Sequence, residues 1–156
     1  MDHLTFLEHQ PPQHPHLTVF PVPCDVGSHS PIMADGPAYL MHRGLVSALT
    51  AAGFDVRTEP EISALRRDLG EVSSDRVVQA IAEQATQVRD RVCAERRAGR
   101  KILTIGGDHS IAIGSVAGAA LAAPQNIGLI WIDAHADINT PETSPSGNVH
   151  GMPVAV

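Results

Sequence analysis

At 156 residues and 43% hydrophobic, the chain is long enough to bury one ordinary domain core. Seventeen acidic against eleven basic residues, a formal charge of −6 and only 3% aromatics argue against nucleic acid as a partner, by charge and by stacking. Two cysteines, Cys24 and Cys93, are too few for a disulfide framework and are not spaced as a zinc pair, which fits a reduced, cytoplasmic setting; no apolar run approaches the roughly 20 residues that span a bilayer.

Residues 1–16 are rich in proline and histidine (His3, His9, His14, His16) and read as a flexible leader rather than a secretory signal, because no basic stretch precedes an apolar one. Residues 17–22 form a short apolar strand. The loop that follows carries Asp25 and His29, both expected to be solvated. Pro37 suits the first turn of a helix running to Ala52, with Leu40, Leu45, Leu49 and Ala52 as its buried stripe and Gly53 at its end. Residues 54–57 read as a second short strand. Ser74 or Asp75 caps a long helix to Ala98, in which Val78, Ile81, Ala85, Val88 and Val92 recur at intervals of three and four and build one apolar face.

A third strand, residues 101–105, ends in Gly106-Gly107-Asp108-His109-Ser110, and an Ala- and Gly-rich helix follows over residues 110–121. Asp108 is placed to cap that helix. Residues 127–132, with Ile127, Leu129, Ile130, Trp131 and Ile132, read as a fourth strand buried on both faces. Strand and helix thus alternate along residues 17–156, which predicts an α/β fold of three layers, α/β/α, around a mainly parallel sheet. In such sheets ligands bind beyond the carboxyl ends of the strands.

Two strand ends carry the chemistry. Asp133, His135 and Asp137 fall at alternate positions directly after the fourth strand, so in an extended chain they point one way; His109 follows the third. Ionisable groups emerging from a buried strand need a cation or partners to offset their desolvation. Imidazole and carboxylates without thiolate suit a hard divalent ion, manganese ahead of magnesium and zinc. Carboxylates can bridge two such ions and supply a hydroxide nucleophile, which makes the chain a candidate hydrolase.

Gly106-Gly107-Asp108-His109-Ser110, Asp133-Ala134-His135-Ala136-Asp137 and Ser146-Gly147-Asn148-Val149-His150-Gly151-Met152-Pro153 resemble the successive motifs of the arginase (ureohydrolase) family. The resemblance covers the chain from about Leu17 and leaves the leader outside it. It implies that His109, Asp133, His135 and Asp137 are ligands of a two-ion manganese cluster bridged by Asp133, with His109 and Asp137 on one ion and His135 on the other. It further implies that a metal-bridging hydroxide attacks the guanidinium carbon of L-arginine, giving ornithine and urea. His150 matches the family's proton-shuttling histidine and, with Asp137, is a catalytic candidate. Asn139, Ser144 and Ser146 fall where the substrate's α-carboxylate is bound.

The family's chains are about twice as long, with a later Asp-x-Asp segment completing the metal site and an eight-stranded sheet in the order 2-1-3-8-7-4-5-6. The expectation is therefore a truncated, N-terminal portion of an arginase-like fold. Its strand over residues 127–132 either pairs with residues 101–105 or projects as an apolar edge, and the chain alone would be marginal or self-associating. The family's homo-oligomers, trimers or hexamers, or a complementary C-terminal half are the implied partners. Alternatives are a ureohydrolase acting on another guanidino compound such as agmatine, and an inactive fragment that only binds metal or a partner subunit.

Overall fold

The computed structural model describes residues 14–28, 30–70, 73–125 and 127–156. Of the leader, residues 1–13 lie outside the described residues, as does His29. His16 already belongs to the first strand.

Three strands form one parallel sheet in the order β2-β1-β3: β1 (His16–Val22), β2 (Asp55–Thr58) and β3 (Lys101–Gly106). Val19 of β1 stands opposite Thr58 on one side and Leu103 on the other. As the central strand, β1 is buried from Leu17 to Val22 on both faces. That is why its sequence is continuously apolar apart from Thr18, rather than alternating.

The connection from β1 to β2 and the one from β2 across β1 to β3 run in opposite directions along the sheet, so right-handed crossovers place their helices on opposite faces. One face carries α1 (Gly36–His42) and α2 (Leu45–Ala51). The other carries α3 (Ser74–Arg97), which packs along α4 (Ile111–Ala122). Phe20 and Val22 from the sheet meet Val88 and Val92 of α3, with Ile62 closing the cluster. The α/β/α layering expected from the sequence is present.

Several local expectations are corrected. The helix expected over residues 37–52 is two helices, because Gly44 sits in the left-handed region (φ 88°) and interrupts it; of its expected stripe Leu40 and Ala52 are exposed and Leu45 and Leu49 only half-buried. The cap of α3 is Ser73, whose Oγ accepts from the Arg76 amide at 3.4 Å, one residue ahead of the expected Ser74. Val78 is exposed, and the buried stripe instead includes Gln84, whose Nε2 donates to the carbonyls of Pro23 (3.1 Å) and Ile62 (2.8 Å). Asp25 is buried rather than solvated: its Oδ1 accepts from the Arg66 amide at 2.7 Å.

The largest correction concerns residues 127–132. They form no strand: among the described residues nothing pairs with them, and Ile130 and Ile132 are 86% and 92% exposed. A strand needs a ladder partner on at least one edge, and a cleft of about 560 Å³, lined by Ile102, Thr104, Ile127 and Leu129, separates this segment from the open edge of β3. Of the two outcomes expected, the projecting one holds. Only Trp131 in its second half turns inward.

Candidate metal centre

The site lies beyond the carboxyl ends of β1 and β3. Their two loops touch because Gly107 has no side chain: a Cβ there would fall 1.9 Å from the Cys24 carbonyl oxygen, which accepts from the Asp108 amide at 2.9 Å. The Asp108 side chain is engaged by the neighbouring loop and helix start. Its buried carboxylate accepts from the amides of Ser110 (3.0 Å) and Gly27 (2.8 Å); the N-cap of α4 is Ser110, without a side-chain cap bond, so instead of the capping role expected for it Asp108 ties the loop after β3 to the first loop. Burial, followed by the Asp108 charge, pushes the neighbouring Cys24 thiol up to about 11, which leaves it unreactive.

His109 then projects toward Asp133 and Asp137. Its Nδ1 lies 2.9 Å from an Oδ2 of each carboxylate, and one donor atom from each of the three residues lies within 4.8 Å of the others. One imidazole nitrogen has a single site with which to serve two carboxylates. Neither contact has hydrogen-bond geometry, and Oδ2 of Asp137, whose side chain is 6% exposed, is buried without a hydrogen-bond partner among the described residues. A buried carboxylate oxygen left unpaired facing two further donors is what a cation would relieve, so the residues present fit a divalent metal. Asp137 also adopts φ 51°, a left-handed conformation that aspartate tolerates better than most residues, and its carbonyl accepts from the Val154 amide at 3.0 Å.

His135 is placed differently. Its backbone amide donates to Asp133 Oδ1 at 2.7 Å and its Nδ1 lies 3.1 Å from the same atom, but the ring is 82% exposed at the rim. The His135 amide above all, and then its side chain and the charges of both histidines, hold the Asp133 carboxyl below the usual carboxylate range. Asp133 is thus poised to present negative charge to a cation.

A cavity of about 430 Å³ opens over these groups, and its wall includes His109, Asp133, Asp137, Asn139 and His150. His150 is held there by its amide, which donates to the Gly27 carbonyl at 3.2 Å, and Asn139 by its amide on the Gly151 carbonyl, also at 3.2 Å. Ser144 and Ser146 do not line this cavity. Their hydroxyls accept from the amides of Gly147 (3.0 Å) and Asn148 (3.3 Å) within their own loop. Sequence reasoning missed one residue at the site, Trp131, whose ring stacks on His109 at 4.5 Å between centroids. The signal was there: Trp131 precedes Asp133 by two, continuing the same alternation.

Comparison with known proteins gives the chain's family and fold. The sequence model of the arginase family matches residues 15–156. An arginase of Brevibacillus brevis is 36% identical over 140 residues, which cover 89% of this chain and 47% of that protein. Among solved structures, the arginase of Bacillus cereus superposes with a TM-score of 0.80 at 36% identity, covering 90% of this chain and 46% of the other. That of Entamoeba histolytica, in complex with L-ornithine, gives 0.78 at 32% identity over 92% of this chain and 48% of its own. The chain spans about half the length of the curated relatives it matches.

Proposed function

The chain belongs to the arginase family, and we propose that it carries the metal-holding and proton-transferring residues of a manganese-dependent arginase, which hydrolyses the guanidino C–N bond of L-arginine to ornithine and urea. The observation that carries this reading is the convergence of His109, Asp133 and Asp137 around an unpaired buried carboxylate oxygen, with His150 on the wall of the same cavity. Nitrogen and oxygen donors without thiolate favour manganese, and a metal held there lowers the pKa of water enough to provide a nucleophile at neutral pH. His109, Asp133 and Asp137 would hold the ion, and His135 at the rim is the fourth donor, the one assigned to a second ion. Each manganese takes about six donors, so water, substrate or a further polypeptide segment completes the set.

Guanidinium is a delocalised cation and a poor electrophile, and its nitrogen leaves only when protonated. His150 is the proton donor in this reading, because imidazole exchanges a proton near neutral pH and this one faces the cavity. Asn139 faces the same space and would contact the α-carboxylate of arginine, with Ser144 and Ser146 in the adjoining loop. The ornithine seen in the Entamoeba enzyme supports an amino-acid substrate of this size. Two buried free thiols, Cys24 and Cys93, suit a reduced, cytoplasmic setting, and among the described residues no helix is long and apolar enough to cross a membrane.

The open edge of β3 and the exposed residues 127–132 favour a second reading, in which the chain works only when associated with copies of itself or with a complementary polypeptide that covers them. The deciding assay is urea release by the purified chain with added manganese, from L-arginine and from agmatine, against His135→Ala. Release from arginine above that control is expected. Agmatine outpacing arginine would move the substrate to the decarboxylated amine, and no release from either would sink the catalytic reading for this chain alone while leaving its family membership intact.

A further inference from the structure

We propose that Trp131 is a positioning residue of the metal centre: its indole face sets the plane of the His109 imidazole so that Nδ1 points between Asp133 and Asp137. The inference rests on the metal-centre reading and adds a residue to it. The two rings stack with centroids 4.5 Å apart and 22° between their planes.

The ring of a ligating histidine is usually oriented by a hydrogen bond from its second nitrogen to a carboxylate or carbonyl. Among the described residues nothing hydrogen-bonds to the His109 ring, and its two 2.9 Å approaches to carboxylate oxygens lack hydrogen-bond geometry. Its own torsion offers little help, because rotation about the bond from Cβ to an imidazole is broad and roughly two-fold. The stacked indole supplies the missing restraint: turning the His109 ring about that bond would take Nδ1 away from both oxygens and break the parallel contact. Trp131 is not there to make a hydrogen bond. Its Nε1 is buried without a partner among the described residues, while Ile130 and Ile132 on either side point to solvent. An indole face is electron-rich, so the stack strengthens when His109 gives electron density to a cation.

Trp131 is also the only tryptophan in the chain, so its emission reports this contact directly. The experiment is calorimetric titration of manganese into the wild type, Trp131→Leu, Trp131→Phe, Ile130→Ala and Asp137→Ala, with tryptophan emission followed in parallel for the wild type. Trp131→Leu should weaken manganese binding about tenfold, the size expected for one aromatic stack at a charged ring, and Trp131→Phe should restore it to within about threefold. Ile130→Ala, in the same segment but pointing outward, should bind as the wild type does. Emission of the wild type should change with the same midpoint as the heat signal.

Three results would overturn the inference and leave the metal centre standing: Trp131→Leu binding like the wild type while Asp137→Ala does not, Ile130→Ala weakening binding as much as Trp131→Leu, or wild-type emission staying constant through a full calorimetric transition. The last needs no variant to fold. A wild type that takes up no manganese would instead remove the metal-centre reading itself, and the inference with it.

Discussion

Asp137 combines three costs at one position: a left-handed backbone, near-complete burial and a carboxylate oxygen without a hydrogen-bond partner among the described residues. Each is unfavourable for folding alone, and together they support the proposed role of Asp137 in holding a metal. Asp137→Asn retains the side-chain shape and the tolerance of asparagine for φ 51° while removing the buried charge. It should therefore be at least as stable as the wild type in metal-free urea unfolding, yet bind manganese at least about tenfold more weakly. Asp137→Ala should lose the metal and also be less stable than Asp137→Asn by about 1–2 kcal/mol, because alanine has no local hydrogen bond to offset the left-handed backbone. Unchanged manganese affinity in Asp137→Asn would remove Asp137 from the ligand set. Much of this could be read in advance, since Asp133, His135 and Asp137 are near neighbours in the sequence and need no tertiary information to be grouped. The burial of Asp25 against Arg66 could not, because it depends on a contact 41 residues away.

The same division runs through the elements. Helix α3 and strands β1 and β3 were readable because each expresses one period cleanly, and the break at Gly44 was missed because the apolar pattern continues across it. What the sequence hides is how closely two helices approach. Gly118 on α4 faces α3 so tightly that a Cβ would lie 2.5 Å from the Arg89 carbonyl oxygen. Alanine is the better helix former by about 1 kcal/mol, but there it must push two backbones apart. Gly118→Ala should thus destabilise the chain by about 1–3 kcal/mol in chemical unfolding; a stabilised variant would show that α3 and α4 have room to separate.

At the opposite end of the sheet, His16 of β1 bonds the carboxylate of Asp55 of β2. That bond above all, helped by the charges of His16, Arg100 and His14 against some desolvation, holds the Asp55 carboxyl below the usual range. The unfolded chain then takes up more protons as the pH falls. The contribution is complete above the ordinary carboxylate pKa of about 4 and is lost as pH drops through the lower folded value. Both side chains are more than half exposed, so the effect is screened and small. Melting temperatures of Asp55→Asn should fall less steeply than those of the wild type between about pH 5 and pH 3, and parallel slopes would show that the pair contributes nothing.

For the whole molecule the decisive feature is residues 127–132. Their composition is that of a doubly buried strand, and reading them so was sound at the level of pattern. Burial, however, is a property of the sheet that surrounds a strand, and among the described residues β3 is the last strand on that side. The outcome is an open β3 edge beside Ile130 and Ile132, which stand almost fully in water. Each such side chain gains about 1.5–3 kcal/mol on burial, and an unpaired edge offers a ladder of free amides and carbonyls to any extended chain. Solvation of that edge is therefore the weakest point of the isolated chain. Light scattering coupled to gel filtration should show concentration-dependent association at micromolar levels, and replacing Ile130 and Ile132 together by lysine should shift the protein toward monomer, since edge charges oppose pairing. Because both side chains stand almost fully in water, the doubly substituted chain should keep its manganese affinity, separating association from the metal centre. A sharp monomer peak for the wild type with cooperative melting would mean that the three-stranded sheet and its four helices suffice alone, and that the exposed segment costs less than its composition implies.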